Sequence, residues 1–182
     1  VRTFAVNYMI GMIKYDLDLI GIHHDVFTNE RELIDDGTLE KAFKILEDRD
    51  LIYTGTLPPP RGKEMEEWEP TPLVLFRSSQ FGDASDRPLK KRDGTWAYIM
   101  PDIAYHYFKV GKGYDLIINI LGKDHGGWLD RVRPAVAAFS DGKTKLDAVL
   151  CSIVQIFRNG EPVKLSKRSG HLIPLRAMVE EV

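Results

Sequence analysis

Apolar residues recur at close to helical spacing over residues 1–20, as Phe4, Tyr8, Met12, Tyr15 and Ile20 among polar neighbours, and this pattern predicts an amphipathic helix. Gly21 is placed to end it. Ile22 to Thr28 then reads as a short strand or extended turn. Asp35, Asp36 and Gly37 form a turn, and Thr38 is placed to cap a helix running to about Arg49. Leu39, Ala42, Phe43 and Leu46 make its apolar face, with Glu40 and Lys44 spaced to pair. Five of the ten prolines fall between Pro58 and Pro72. Each removes a backbone donor and restricts the residue before it, so 55–72 is expected to be a surface loop or mobile insertion. Leu73–Arg77, Leu89–Lys91 and Thr95–Ile99 read as short strands, the last two joined by a hairpin at Asp93-Gly94. Together they predict a small antiparallel meander.

After the meander the pattern changes to helix alternating with buried strand. Pro101 suits a first helical turn, and the helix runs to about Val110, where Gly111 and Gly113 break it. Asp115–Leu121 is nearly all apolar, which is the reading of a parallel strand. Gly122–Gly127 is a glycine-rich connection into a helix ending near Ser140. Ala148–Phe157 is a second strand, Arg158–Gly170 a polar loop, and Pro174 opens a last helix. Strand, helix, strand at this spacing predicts an α/β fold with a doubly wound parallel sheet.

Composition narrows the class. The chain has 182 residues, 43% apolar and 29% charged, which excludes collagen, a disordered tail and a disulfide scaffold. Length predicts one domain, or one plus an insertion. The single cysteine, Cys151, forms no internal bridge and excludes a four-cysteine zinc site. No apolar run approaches the 18 or so residues of a membrane span, and no signal-peptide pattern opens the chain, so a reduced, cytoplasmic setting is expected. A net charge of −2 is not that of a free-standing nucleic-acid binder. His23, His24 and Asp25 lack metal-site spacing, and no metal ligation is expected.

Three groups of residues carry candidate chemistry. Lys164-Leu165-Ser166-Lys167-Arg168 lies between a strand and a helix, and its two ammonium groups suit a triphosphate and a leaving pyrophosphate. Ser166 is placed to fix the loop; a plain solvated basic loop is the competing reading. Gly122-Lys123-Asp124-His125-Gly126-Gly127 stands at the carboxyl end of a parallel strand, where open α/β sheets bind ligands. There Asp124 suits a ribose hydroxyl and His125 donates or accepts; a capped strand-to-helix turn is the alternative. Tyr98-Ile99-Met100-Pro101-Asp102 sets a phenol four residues before a first-turn carboxylate. Asp102 serves either the helix dipole or, with Tyr98, a planar cation. Trp68, Trp96 and Trp128 read as packing residues.

The three groups occur in one order that resembles the class I arginyl-tRNA synthetases. The matching pieces are Phe81-Gly82-Asp83 with Asp86-Arg87, Asp93-Gly94-Thr95, Tyr98 through His106, Gly122 to Gly127, and Val163 through Gly170 with Leu175-Arg176. Val26-Phe27 and Glu30-Arg31 are similar as well. The pentapeptide at 164–168 is similar to the KMSKS loop, with Leu165 in place of Met. The resemblance implies ATP-dependent activation of arginine and its transfer to tRNA(Arg). By similarity Tyr98 and Asp102 would hold the guanidinium, which a carboxylate matches in a way it does not match an ammonium. His125 would face the substrate backbone groups. Gly122 and Asp124 would face the adenosine, with Val163 also against ATP. Lys164 and Lys167, the catalytic pair with Ser166, would hold the phosphates, and Mg2+ would accompany ATP.

The HIGH motif of the family does not occur in the sequence. The chain therefore reads as the second half of a catalytic domain, expected to be inactive alone and to expose a sheet edge. On this reading 1–54 is a helical and α/β part, 55–100 the proline-rich loop and meander, and 101–182 a partial Rossmann-like half carrying the lysine loop. The pattern does not set the oligomeric state, and the parent enzyme is expected to be monomeric. A catalytically inert nucleotide- or RNA-binding module derived from such an enzyme is the alternative. A generic α/β nucleotidyltransferase is a third reading.

Overall fold

The computed structural model describes residues 1–58, 71–163 and 173–181. They form two units, one comprising Val1–Thr28 and Val154–Val182, the other Asn29–Ile153.

The first unit contains helix α1 (Arg2–Asp18), the two-residue strands β6 (Phe157–Arg158) and β7 (Glu161–Pro162), and helix α6 (Leu175–Glu180). Gly21 adopts φ of 73° beyond the end of α1, and the Ile22 N–H returns to the Leu17 carbonyl, so the expected glycine stop is present. The expected buried face is not: no residue of α1 is buried, and Phe4, Tyr8, Met9 and Tyr15 are all exposed. Residues 22–28 form no strand and take the extended-turn alternative. Pro174 caps α6 as expected. The strand foreseen up to Phe157 ends at Cys151, and Phe157 instead pairs antiparallel with Pro162.

The second unit is mixed α/β. Helix α2 (Glu30–Asp35), absent from the sequence reading, is capped by the Asn29 side chain on the Arg31 N–H. Helix α3 (Thr38–Asp48) has the expected buried face of Leu39, Ala42 and Leu46. Its start differs from expectation. Asp36 accepts from both the Thr38 N–H and hydroxyl, so Thr38 is the group being held and not the cap. Lys44 pairs forward with Asp48 instead of back with Glu40.

The meander is β1 (Ile52–Gly55), β2 (Leu73–Phe76) and β3 (Arg87–Pro88), antiparallel in that order. A 3₁₀ turn, Ser78–Phe81, leaves β2. The Asp93-Gly94 turn forms, with Gly94 at φ 80° and Asp93 accepting from the Thr95 N–H and hydroxyl. The ladder foreseen on either side of it shrinks to one bridge, Lys90 to Trp96. Pairing with β2 instead falls to Arg87 and Pro88.

Helix α4 (Met100–Val110), strand β4 (Leu116–Gly122), helix α5 (Gly126–Ser140) and strand β5 (Lys145–Cys151) follow. β4 and β5 pair in parallel from Leu116–Lys145 to Gly122–Cys151. β5 thus starts before and ends before the 148–157 span expected from sequence. β4 is buried on one face only: Ile117 and Asn119 point inward while Leu116, Ile118 and Ile120 are exposed. Among the described residues the parallel sheet has two strands. α5 joins two cores. Ala135, Ala138 and Phe139 pack with Leu39, Leu46, Phe76, Met100 and Ile103; Leu129, Val132 and Val136 pack with Ile117 and Leu146. Each large aliphatic or aromatic side chain so buried contributes about 1.5–3 kcal/mol. The Arg49 guanidinium donates to the Ala138 carbonyl and pairs with Asp141 at 2.8 Å, tying the end of α3 to the end of α5.

Candidate functional site

The carboxyl end of β4 and the amino end of α4 meet at one hollow. Gly122 ends β4 in extended backbone, a 3₁₀ turn spans Lys123–His125, and α5 begins at Gly126. A Cβ on Gly122 would stand 2.6 Å from Asp124 Oδ1, so glycine is what lets the Asp124 carboxylate fold back against the strand end. The hollow has a volume of about 520 Å³ and is lined by Tyr98, Asp102, Leu121, Asp124, His125, Gly127, Trp128 and Arg131. That is within the usual range for a small-molecule site. Tyr98 stands 92% exposed at the rim. Tyr98 and Asp102 also border a smaller hollow of about 260 Å³ with Glu30, Lys91 and Trp96.

Asp102 lies in the first turn of α4, behind Pro101, where the helix dipole favours an anion. It is partly buried, and burial pushes its carboxyl above the ordinary range against the opposing effects of a hydrogen bond from Trp128 and the charge of Lys109. The Trp128 indole N–H donates to Asp102 Oδ2 at 2.8 Å. Behind Asp102 stands His106, 1% exposed. Its Nδ1 lies 2.8 Å from the Asp102 carbonyl and its Nε2 3.0 Å from Asn119 Nδ2. Burial, with the nearby Lys109 charge, holds His106 down at about 4, so the ring is neutral near pH 7. The partners then fix the tautomer: Nδ1–H donates to the carbonyl and Nε2 accepts from the amide. Asn119 Oδ1 in turn accepts from Lys109 Nζ at 3.0 Å. Burial pulls the Lys109 ammonium below its ordinary value.

Tyr98, Asp102, Asp124 and His125 are therefore brought together, with Gly122 adjoining them. Asp124 and His125 stand 3.6 Å apart, an ion pair when the ring is protonated. Val163 belongs to the other unit, where its N–H donates to the Ile156 carbonyl. Lys164, Ser166 and Lys167 lie outside the described residues. Among the described residues no group of three His, Cys, Asp or Glu side chains is arranged to hold a metal ion, and no helix is long and apolar enough to cross a membrane.

A larger hollow of about 950 Å³ lies between the meander and α5, lined by Phe81, Asp83, Arg87, Asp130, Arg131 and Arg133 among others. Its acids and two of its arginines are engaged with one another, Arg87 with Asp83 and Arg133 with Asp130. The Phe81-Gly82-Asp83 and Asp86-Arg87 pieces are thus structural here. Asp83 accepts from Ser78, Ala84 and Arg87, and Asp86 from Ser79 and Tyr53. Sequence reasoning missed the role of Trp128, which it read as packing, and the His106–Asn119–Lys109 chain. The signal was Asn119, a lone amide in the middle of the apolar run 116–121.

No family model matches the chain. Curated relatives do. The chain is 48% identical over 182 residues to the arginine–tRNA ligase of Roseobacter denitrificans and 50% identical over 182 residues to that of Cereibacter sphaeroides. It is 49% identical over 181 residues to that of Rhodospirillum rubrum. In each case all of this chain is covered but only 31% of the relative. A solved Campylobacter jejuni chain, assigned provisionally as an arginyl-tRNA synthetase, superimposes with a TM-score of 0.76 at 30% identity, over 98% of this chain and 35% of that one. Along its whole length, then, the chain is homologous to a segment making up about a third of the arginine–tRNA ligases.

Proposed function

We propose that this chain is the part of an arginine–tRNA ligase that recognises arginine and helps to hold ATP, acting in the activation of arginine and its transfer to tRNA(Arg). The observation that carries the reading is the hollow itself, whose lining holds a partly buried carboxylate, Asp102, and at its rim a phenol, Tyr98, beside the β4–α5 turn. A carboxylate accepts two parallel N–H donors from a guanidinium, a match of charge and shape that an ammonium lacks. His125 would meet the amino-acid backbone groups, and Gly122 and Asp124 the adenosine. Val163, Lys164 and Lys167 would lie along ATP, with Ser166 holding their loop and Mg2+ arriving on the phosphates. The arginine carboxylate then attacks the α-phosphorus, the bond to pyrophosphate breaks, and a tRNA ribose hydroxyl later displaces AMP from the adenylate. No enzyme nucleophile is required; positioning and charge stabilisation lower the barrier.

We also infer that β4–α5–β5 belongs to a Rossmann-like doubly wound sheet. Supporting this are the parallel pairing and the exposed apolar face of Ile118, Ile120 and Val149, since parallel sheets are ordinarily covered on both faces. A chimera tests the functional reading. This chain replaces the matching segment of the Roseobacter denitrificans ligase, and ATP–pyrophosphate exchange is measured with arginine and the cognate tRNA. Exchange that depends on arginine supports it; a folded chimera that binds ATP but exchanges nothing overturns it. The 182 residues alone are expected to show no exchange, and robust turnover by them would refute that part.

A further inference from the structure

We propose that Trp128, backed by the chain Lys109–Asn119–His106, is a positioning residue for the Asp102 carboxylate, holding one lone pair of Oδ2 so that the free edge of both oxygens is presented to a guanidinium. The inference rests on reading the hollow as the arginine site. Trp128 holds this side chain directly, and His106 and Asn119 brace the helix that carries it. Trp128 on α5 donates its indole N–H to Oδ2 at 2.8 Å, which satisfies one side of the carboxylate. His106, on the same helix as Asp102, donates from Nδ1 to the Asp102 main-chain carbonyl at 2.8 Å. Asn119 on β4 gives its amide to His106 and takes a proton donor from Lys109.

The His106 and Trp128 rings pack with centroids 5.5 Å apart. The arrangement registers α4 against β4 and α5 and fixes the plane in which the Asp102 carboxylate offers its free edge. A carboxylate free to rotate would be ordered only when the ligand arrived, and the cost would appear in affinity. The indole donor also favours the charged form of a carboxyl that burial disfavours.

The test replaces Trp128 by Phe, which keeps an aromatic ring and removes the donor. In parallel, β-(3-benzothienyl)alanine is incorporated at position 128, keeping both rings with sulfur in place of N–H. Arginine and citrulline binding to the 182-residue chain is measured by calorimetry from pH 4 to 8, with thermal melting beside it. Arginine affinity is expected to fall about tenfold in both variants, the effect of one hydrogen bond to a charged group. The acid limb of the affinity profile should move to higher pH, because the carboxyl loses a group that favours its ionised form. The other groups that face Asp102 are unchanged in both variants: Lys109, Arg131, Asp124 and His125, and Glu30 and Lys91 at the smaller hollow. A merely structural tryptophan would alter melting and leave the pH limb in place. Unchanged affinity and an unmoved limb in the benzothienyl variant overturn the inference. If the unsubstituted chain binds arginine and citrulline equally, the arginine-site reading itself fails, and the two failures are thereby told apart.

Discussion

Replacing Asp102 by Asn separates the proposed role of this carboxylate from any role in folding. The substitution keeps size and shape. The amide oxygen still accepts from the Trp128 indole, whose partner now is Asp102 Oδ2 at 2.8 Å. The amide nitrogen then points into the hollow, so a donor faces the guanidinium donors where an anion stood. A unit-charge pair about 4 Å apart at an effective dielectric of about 20 is worth about 4 kcal/mol before desolvation is subtracted. Loss of the charge-assisted bidentate pair is therefore expected to cost about 2–4 kcal/mol of arginine binding, a rise in Kd of about 30- to 700-fold. Stability should move the other way or not at all. Burial raises the Asp102 carboxyl in the folded chain, so its contribution to stability is full in acid and declines as pH rises through the folded value. An amide does not ionise and escapes that cost, so the melting temperature at pH 7 should be equal or higher. Calorimetric titration with arginine, paired with thermal melting, reads both quantities. Unchanged arginine affinity would refute the reasoning and return Asp102 to a helix-terminal charge.

Removing Asp83 should destabilise the second unit by about 3–5 kcal/mol in urea titration, because its 2%-exposed carboxylate is the partner of Arg87 and leaves that guanidinium unpaired. An effect under about 1 kcal/mol would show that the pair is solvated. Despite burial, which alone would raise them, hydrogen bonds hold the carboxyls of Asp83 and Asp86 below the ordinary value of 3.8. Their contribution to stability is thus present above that value and lost as pH falls through the folded values, so acid unfolding followed by circular dichroism should steepen below about pH 4. Gly122→Ala should displace the Asp124 carboxylate, which would lie 2.6 Å from the new Cβ, yet barely shift melting, since an exposed side chain gives way. In the chimera its expected signature is a raised KM for ATP with that for arginine unchanged; a large melting loss instead would mean that the strand end itself is strained. Lys167→Ala in the chimera should slow activation more than it weakens arginine binding, and the reverse pattern would contradict the phosphate role.

The sequence reported helices α3, α4 and α5 well because each carries a one-sided apolar pattern and a glycine, proline or aspartate near an end. It reported the β4–α5 turn because Gly122–Gly127 is punctuation between two strongly periodic segments. It missed where local signals compete. Thr38 is a good cap, but Asp36 reaches it first. The Asp93-Gly94 turn forms as written, while strand pairing around it is decided by β2, whose Leu75 and Phe76 pair with Pro88 and Arg87. At the site, Tyr98, Asp102 and His125 were visible as residue types next to glycine and proline. Their supporting groups were not, because Trp128 reaches Asp102 across 26 residues of chain and Asn119 reaches His106 across 13, contacts that only tertiary packing makes.

The central claim is that a guanidinium docks on Asp102 beside Trp128. Its most direct test is titration of the 15N-labelled chain with arginine while the indole N–H resonances of its three tryptophans are followed. Arginine should shift the Trp128 indole signal in a saturable way, and citrulline, which carries a neutral group in place of the guanidinium, should leave it where it was. An arginine titration that leaves that resonance unmoved, or a citrulline titration that moves it equally, would contradict the account.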